Sequence, residues 1–309
     1  MRNIEIIVYG TDLPKKYVEF DGQKRYRATG NENQLTFAVN AANRALNKAK
    51  LSINDIDLIV SAAAVGIQPI PCTAALIHEQ IAKGTDIPAM DINTTCTSFV
   101  SALDTVSYFI EAGKYNRILI VSSEIASEGL NPNQKESYEL FGDGAAAVIV
   151  QRSSGESGII GSMQKTWSEG AHSTEIRGGL SNFIPSNYDG TNDAEFMFDM
   201  KGRQILSIAA KKVPAMFKEF FDVYGLNIDD IDLVVPHQAS KALGMIMNKV
   251  GFPKNKYVDI VSEYGNMVSA SIPFALCKSI ENGLIKKGDT VMLAGTAAGL
   301  TTNILVFKY

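Results

Sequence analysis

A segment of ten residues occurs twice in this 309-residue chain, and the repeat constrains the fold more than any other sequence feature. Residues 51–60 (LSINDIDLIV) and 226–235 (LNIDDIDLVV) are identical at seven of ten positions. The elements predicted after each copy also follow one order: a helix, a strand that contains Asp-Ile, a short turn, a second helix and an apolar strand. This duplication predicts an α/β fold of two similar halves, residues 1–155 and 156–309, related by a pseudo-twofold axis.

Hydrophobic periodicity predicts the individual elements. Apolar residues three and four positions apart indicate helices, short apolar runs indicate buried strands, and the polar segment 21–34 is predicted to be a loop. The predicted helices are 35–49, 73–82, 97–111 and 240–250. The predicted strands are 4–9, the ends of both repeats, 87–92, 117–121, 141–150 and 291–293, with one more at Asp259-Ile260.

Cys96 lies at the end of the sequence NTTC, between the predicted strand 87–92 and the predicted helix 97–111. Unpaired N–H groups and the positive end of the helix dipole point at such a position, so we expect them to favour thiolate over thiol. A nucleophilic cysteine is one interpretation of this pattern. A small hydrophobic residue between two buried elements is the other.

The second half of the chain supplies two polar residues at comparable turns. His237 follows the second repeat and a proline, and Asn266 follows Gly265 at the turn predicted to correspond to that of Cys96. Open α/β sheets bind ligands in crevices at strand ends, so these turns are expected to converge on one pocket. Taken singly, His237 is also compatible with a satisfied core histidine and Asn266 with ordinary turn chemistry.

The remaining histidines and cysteines have no comparable setting. His78 is expected on the surface or at a subunit contact, His172 is expected to be exposed, and Cys72 and Cys277 are expected to be structural. The three histidines and three cysteines lack the spacing of metal ligands. We therefore expect no metal site.

The composition excludes several classes of function. A net charge of −4 without a basic run gives no electrostatic footprint for nucleic acid or an anionic membrane. The apolar runs are far shorter than the roughly 20 residues of a membrane helix, and the N-terminus reads as a strand rather than a signal peptide. Three cysteines argue against a disulfide framework. We expect a cytoplasmic enzyme that binds neither nucleic acid nor membrane.

Cysteine, histidine and asparagine together suit thioester chemistry. A thiolate accepts an acyl group from a thioester at little energetic cost, because one thioester replaces another. Two neutral N–H donors, from His237 Nε2 and the Asn266 amide, are able to hold the oxygen of a thioester enolate. The glycine-rich loop 295–299 is expected to bring a backbone N–H to the oxyanion of acyl transfer.

Three motifs, NTTC ending at Cys96, VPHQA around His237 and GNMVSASIP from Gly265, resemble in this order the active-site motifs of 3-oxoacyl-ACP synthase III. This is the ketoacyl synthase III branch of the thiolase-like condensing enzymes. FGDGA at 141–145 and DMKG at 199–202 resemble further signatures of the family. The resemblance runs from about Ile4 to the last residue, and it implies a thiolase-like αβαβα layered fold and a homodimer.

The resemblance also implies roles for individual residues. Cys96 is implied as the acylated nucleophile, and His237 and Asn266 as the pair that promotes decarboxylation of malonyl-ACP or malonyl-CoA and stabilises the enolate. The backbone N–H groups of Cys96 and Ala298 are implied to form the oxyanion hole. The implied substrates are phosphopantetheine thioesters, acyl-CoA or acyl-ACP, with acyl carrier protein as a partner and no cofactor.

The chain departs from the family pattern near the substrate entrance. The segment before Leu35 is short and lacks the family's tryptophan that contacts adenine, and the only tryptophan is Trp167, so acyl-CoA and acyl-ACP both stay open as donors. An expected phosphopantetheine or carrier contact moves to Lys241 or Lys249, which are equally compatible with solvated lysines. Ile70 matches a position that reaches the partner's acyl pocket, and either leaves room for primers longer than acetyl or packs the dimer interface.

Several readings of the function stay open at this stage. The pathway is fatty acid initiation or a specialised fatty acid or polyketide route. A second hypothesis is an acyltransferase that passes the acyl group from Cys96 to an alcohol or amine without decarboxylation, and a third is a non-catalytic partner in a heterodimeric synthase. The polar stretch 168–195, with four glycines, is predicted to be a partly mobile cover over the pocket.

Overall fold

The computed structural model describes residues 1–181, 183–240 and 242–309. The strands within these ranges are β1 (Ile4–Asp12), β2 (Tyr17–Phe20), β3 (Gln23–Tyr26), β4 (Leu58–Ser61), β5 (Ala89–Asp91), β6 (Arg117–Glu124), β7 (Gly144–Arg152), β8 (Gly158–Thr166), β9 (Thr174–Glu175), β10 (Asp199–Met200), β11 (Leu233–Pro236), β12 (Thr290–Ala297) and β13 (Thr301–Lys308). The α-helices are α1 (Gln34–Ala49), α2 (Thr73–Ile81), α3 (Ser98–Glu111), α4 (Lys135–Tyr138), α5 (Gly202–Tyr224), α6 (Leu243–Val250), α7 (Val261–Tyr264) and α8 (Ser271–Glu281).

Two main sheets have the same internal arrangement. The first sheet has the strand order β1-β7-β6-β4-β5 and the second has the order β8-β13-β12-β11. In both sheets the first two pairs are antiparallel, whereas the pairs β6–β4 and β12–β11 are parallel. Each copy of the sequence repeat therefore ends in the strand that occupies the same place in its own sheet.

The sheets and helices stack in five layers. Helices α1 and α2 cover the outer face of the first sheet, α3 and α8 lie between the two sheets, and α5 and α6 cover the outer face of the second. Alternation along β6 shows how one strand serves two layers: Ile118 and Ile120 face the central helices, while Leu119 and Val121 face α1 and α2. The predicted αβαβα layered α/β fold is confirmed.

Local hydrogen bonds explain why the repeated sequence builds the same structure twice. In the first copy, Asp57 accepts hydrogen bonds from the backbone N–H groups of Asn116 and Arg117, at 2.7 and 2.9 Å. In the second copy, Asp232 accepts one from the N–H of Thr290 at 2.7 Å. Both aspartates thus bind the first residue of the neighbouring parallel strand and set its register.

The prediction of a loop at 21–34 is wrong in part. Residues 23–26 form β3, which pairs with β2 in an antiparallel hairpin, and α1 begins at Gln34. The hairpin was missed because its strands are short and mostly polar, so they carry no alternating apolar pattern.

Two strand predictions are also corrected. The segment 87–92 forms a strand only at β5, whose Met90 is exposed, so it is an edge strand and not a buried one. In the described residues, the Asp259-Ile260 segment forms no strand, and a single parallel bridge between Val234 and Tyr257 stands at the place that β5 occupies in the first sheet. Apolar composition alone does not distinguish a paired strand from an extended segment at a sheet edge.

Candidate active site

Cys96 lies in a 3₁₀ turn, Thr95–Thr97, that leads directly into the central helix α3. Thr95 adopts a left-handed backbone with φ of 52°. The side-chain oxygen of Asn93 accepts a hydrogen bond from the N–H of Thr95 at 2.7 Å, and Thr94 donates its N–H to Ser98 Oγ at 3.0 Å. These bonds form a closed turn that places Cys96 at the N-terminus of α3.

The turn that carries Asn266 repeats this design before the other central helix, α8. Val268 has φ of 50°, Asn266 Oδ1 accepts from its N–H at 2.8 Å, and Met267 donates its N–H to Ser271 Oγ at 2.8 Å. The structural counterpart of Cys96 is therefore Ser269, and the counterpart of Asn266 is Asn93. The predicted correspondence of Asn266 with Cys96 is off by three residues, because the sequence does not show where each 3₁₀ turn begins.

The hydrogen bonds of Asn266 decide what its amide can do. Asn266 is buried, and its Oδ1 accepts from the Val268 N–H and from Ser271 Oγ at 3.3 Å. The amide nitrogen has no acceptor among the described residues. Its counterpart differs, since Asn93 Nδ2 donates to the Ala64 carbonyl at 2.8 Å. Asn266 therefore presents a hydrogen-bond donor to a ligand, whereas Asn93 is a structural residue.

His237 is held at the end of β11, where its N–H donates to the carbonyl of Ala294 at 2.8 Å. The side chain is 4% exposed, and burial lowers the pKa of His237 to about 4, so the ring is neutral at neutral pH. Gly295 lies between His237 and the Cys96 turn: an added Cβ would stand 2.8 Å from His237 Cβ and 3.1 Å from Thr97 Cγ2. The glycine thus brings the histidine against the Cys96 turn.

The electrostatic environment of Cys96 contradicts the prediction of a stabilised thiolate. Burial raises the pKa of Cys96 to about 12, although the nearby backbone of Ala298 opposes that shift. Thr95 Oγ1 donates to the Ala298 carbonyl at 3.3 Å, which holds the loop against the turn. The resting site therefore contains a neutral thiol and a neutral imidazole, with the backbone of Ala298 near the sulfur.

Sequence reasoning missed a buried carboxyl group near Cys96. Glu124, at the end of β6, is 1% exposed, and burial raises its pKa to about 7. Its carboxyl group accepts hydrogen bonds from the hydroxyl of Ser269 and the N–H of Ala64, and its charge contributes to the raised pKa of Cys96. The only sequence signal was one acidic residue three positions after the predicted apolar strand 117–121.

A cavity of about 440 Å³ leads to His237 from the surface. It lies between α5 and α6 over the outer face of the second sheet, and its walls are mostly apolar. Glu136, on α4, and Gly202, at the start of α5, line one part of the cavity. Pro236 and Gly295 line the part where His237 is found. A mainly apolar ligand bound in this cavity would contact the histidine.

The structure locates the remaining predicted residues individually. Ile70 is 85% exposed in the single chain. Lys249 is exposed in the last turn of α6 and does not line the cavity, and Lys241 lies outside the described residues. Cys72 is exposed, which corrects its prediction as a structural residue, whereas Cys277 is buried as expected.

No described residue of the stretch 168–195 lines the cavity. Part of the stretch is joined to β10 by Arg177, which pairs with Glu175, Glu195 and Asp199. Its mobility stays a prediction. Within the part of the chain that the structure describes, no group of His, Cys, Asp and Glu side chains is arranged to hold a metal ion, and none of the helices is both long and apolar enough to cross a membrane.

The fold and site define a thiolase-like α/β protein, and comparisons with known proteins refine that assignment. A family model described as 3-oxoacyl-[acyl-carrier-protein (ACP)] synthase III matches residues 90–167, and the model of its C-terminal part matches residues 221–309. A beta-ketoacyl-[acyl-carrier-protein] synthase III of Clostridium perfringens is 32% identical, with all of both chains covered. The crystal structure of the Aquifex aeolicus 3-oxoacyl-[acyl-carrier-protein] synthase III has a TM-score of 0.88 at 29% identity, covering 99% of this chain and 100% of that one.

This chain belongs to the 3-oxoacyl-[acyl-carrier-protein] synthase III family. A second relative, from Aquifex aeolicus, is 31% identical over 93% of this chain and 88% of its own length. Membership makes the chain a transferase of the condensing-enzyme class.

Proposed function

We propose that the chain transfers an acyl group from a phosphopantetheine thioester to Cys96 and then condenses it with a malonyl thioester, with release of carbon dioxide. The observation that carries the proposal is the hydrogen bonding of Asn266, whose oxygen is used within its own turn. Its amide nitrogen is left to donate into the site that holds Cys96 and the neutral His237. A pair of neutral donors is what a developing enolate oxygen requires.

In the first half-reaction, Cys96 Sγ attacks the thioester carbonyl, and the backbone N–H groups of Cys96 and Ala298 stabilise the oxyanion. The sulfur–carbon bond of the donor breaks as the new one forms, and the proton of Cys96 leaves with the departing thiol. A thiol with a pKa of about 12 is a weak nucleophile until it loses this proton. Proton transfer is therefore coupled to the attack.

In the second half-reaction, the malonyl carboxylate leaves as carbon dioxide, and its electron pair forms the thioester enolate. His237 Nε2 and the Asn266 amide donate hydrogen bonds to the enolate oxygen. The enolate carbon attacks the acyl carbonyl on Cys96, the thiolate leaves, and it takes up a proton from solvent. A neutral His237 suits this step because it donates a hydrogen bond without transferring a proton to the enolate.

The cavity of about 440 Å³ is the route proposed for the phosphopantetheine arm of both substrates. Its position between α5 and α6 and its end at His237 support this role. An acyl carrier protein is the proposed partner, and acyl-CoA or acyl-ACP the primer donor, in fatty acid initiation or a specialised fatty acid or polyketide route. Lys249, exposed on α6, is proposed as a contact for the carrier.

We also propose that the chain, with its two halves 1–155 and 156–309, forms a cytoplasmic homodimer. The second copy would pack along the exposed edge strand β5. The exposure of Met90 on this strand and of Ile70 nearby supports this arrangement. In the dimer, Ile70 would line the partner's acyl pocket and admit primers longer than acetyl. Neither transfer to an alcohol or amine nor a non-catalytic role is favoured by any feature of the site.

The test is intact-protein mass spectrometry after mixing the chain with acyl-CoAs and acyl-ACPs, followed by malonyl-ACP with detection of carbon dioxide. Because Cys72 is exposed and able to exchange acyl groups nonspecifically, Cys72→Ala is the matched control for Cys96→Ala. We expect an adduct that persists in Cys72→Ala, vanishes in Cys96→Ala and is consumed with carbon dioxide release. An adduct that persists in Cys96→Ala, or that malonyl-ACP leaves intact, would overturn the proposal.

A further inference from the structure

Arg25 is a buried arginine that the sequence analysis assigned to a loop. It lies on β3 and is 1% exposed. Its Nε donates to the carbonyl of Glu139 at 2.8 Å, its Nη1 to the carbonyls of Val261 at 3.0 Å and Ser262 at 3.4 Å, and its Nη2 to Gln23 Oε1 at 2.8 Å. No carboxylate pairs with it within the described residues. The guanidinium therefore joins two distant backbone segments.

Asn266 lies at the junction of these two segments. Its N–H donates to the carbonyl of Leu140 at 3.0 Å, and its own carbonyl accepts from the N–H of Gly142 at 3.0 Å. Directly before it, Gly265 has φ of 72° and passes so close to Arg25 that an added Cβ would stand 2.5 Å from the arginine Cδ. The arginine thus contacts both of the backbone segments that meet at the asparagine, 139–142 and 261–266.

The cost of burying this guanidinium indicates that Arg25 does more than fill space in the core. A buried guanidinium without a carboxylate carries a large desolvation cost, and burial lowers the pKa of Arg25 from its usual value. A planar fork with fixed donors binds several carbonyls in one geometry, which a flexible lysine does not reproduce. Such a group holds its partners at defined distances from one another.

We propose that Arg25 is a positioning residue: by joining the Glu139 carbonyl to those of Val261 and Ser262, it fixes the turn from which Asn266 donates to the thioester enolate. The inference rests on the proposed function for the role of Asn266. It assigns Arg25 to the decarboxylation step and not to acylation of Cys96, since the Cys96 turn makes no hydrogen bond to Arg25 or to its acceptors.

The test compares Arg25→Met and Arg25→Lys with wild type in the two half-reactions measured separately. We expect malonyl decarboxylation to slow by about tenfold to a hundredfold, as a displaced donor would cause, while the rate of Cys96 acylation changes less than about twofold. A double-mutant cycle sharpens the assignment: Arg25→Met added to Asn266→Ala should slow decarboxylation no further than Asn266→Ala alone. Equal losses in both half-reactions, or additive losses in the cycle, would overturn the inference.

Arg152→Met is the matched control, because Arg152 also donates to two backbone carbonyls, those of Ile110 and Glu111, both at 2.8 Å, but on the far end of α3. It should leave the ratio of the two rates unchanged.

A measurement that does not depend on catalytic activity tests this inference separately from the proposed function. Amide hydrogen exchange at Gly142, Gly265 and Asn266 should accelerate in Arg25→Met and stay unchanged in Arg152→Met. Unchanged exchange at these amides in Arg25→Met would overturn the positioning role even if the chain catalyses another reaction. A wild-type chain that releases no carbon dioxide would instead refute the proposed function.

Discussion

Thr95 and Val268 both adopt a left-handed backbone in front of a central helix, and the residue that follows is Cys96 in one half and Ser269 in the other. The two turns share the hydrogen bond from a backbone N–H to their asparagine, and each has a serine at the start of the helix, Ser98 or Ser271, whose Oγ accepts from a second turn N–H. They differ in the surroundings of the side chain at the central position, which is Cys96 in one turn and Ser269 in the other. Ser269 is fully buried and donates its hydroxyl to Glu124, while Cys96 as a residue is partly exposed and its sulfur lies near the Ala298 backbone.

The difference suits a site in which two turns with the same backbone conformation have different roles. In the proposed function, the central position of the first turn carries the nucleophile and the asparagine is structural. In the second turn the central position is structural, and the asparagine is the proposed donor to the enolate. In this proposal two copies of one turn supply different halves of a site, because one of the two candidate groups in each turn is bound to a distant residue: Asn93 Nδ2 to the Ala64 carbonyl and Ser269 Oγ to Glu124.

The largest effect should come from exchanging the nucleophile. Cys96→Ala should lower acyl transfer by about 10³-fold or more, as loss of a covalent nucleophile does in other enzymes. Ser269→Cys combined with Cys96→Ala should not restore an adduct, because the position is fully buried. Intact-mass measurement of the acyl adduct checks both. An adduct in the combined variant would show that the two turns are interchangeable and would refute the division of roles.

The next effect compares the two asparagines. Asn266→Ala should slow carbon dioxide release by about 10²–10³-fold, the cost of losing one oxyanion-type donor. Asn93→Ala should leave that rate within about fivefold and lower the unfolding free energy by about 1–3 kcal/mol, because it removes hydrogen bonds to Thr95 and Ala64. Decarboxylation rates and urea unfolding distinguish the two. Similar kinetic losses in both variants would contradict the comparison.

Opposite pH dependences are expected from the two buried titrating groups. Burial lowers the pKa of His237 from 6.5 to about 4 and raises that of Glu124 from 4.5 to about 7. The unfolded chain binds a proton at His237 that the folded chain refuses, so this histidine removes stability as pH falls from 6.5 to 4. The folded chain keeps a proton on Glu124 that the unfolded chain has lost, so this carboxyl removes stability as pH rises from 4.5 to 7.

Urea unfolding of His237→Gln and Glu124→Gln across these pH ranges measures both effects. Relative to wild type, His237→Gln should gain up to about 3 kcal/mol on acidification, and Glu124→Gln should lose a similar amount. Stability curves that run parallel to wild type would show that neither group is desolvated as described.

The smallest effect compares the repeats themselves. Asp57→Ala should lower the unfolding free energy by about 2 kcal/mol and Asp232→Ala by about 1 kcal/mol, because the first carboxylate binds two N–H groups and the second binds one. Thermal or urea unfolding provides the measurement. A larger loss in Asp232→Ala would mean that the number of these bonds does not set the stability of each half.

Much of the architecture followed from the sequence because its signals are local. The repeat, the periodicity of α1 and the apolar run of β6 each predict an element from neighbouring residues alone. The hairpin β2–β3 was missed, and a strand was wrongly predicted at Asp259-Ile260. Whether a short polar or extended segment becomes a strand depends on a partner strand that pairs with it, and local sequence does not show that partner. Hydrophobic periodicity does not show where a 3₁₀ turn begins, so it did not predict that Cys96 corresponds to Ser269.

The sequence by itself determined the layered α/β class, the family resemblance and Cys96, His237 and Asn266 as candidates, since these depend on residue type, order and spacing. Only the tertiary structure decided that burial raises the pKa of Cys96 and that the amide nitrogen of Asn266 has no acceptor among the described residues. It also decided that Arg25 is buried against a carbonyl 236 positions away. Desolvation and long-range hydrogen bonds create these properties, and both depend on which distant segments fold against each residue.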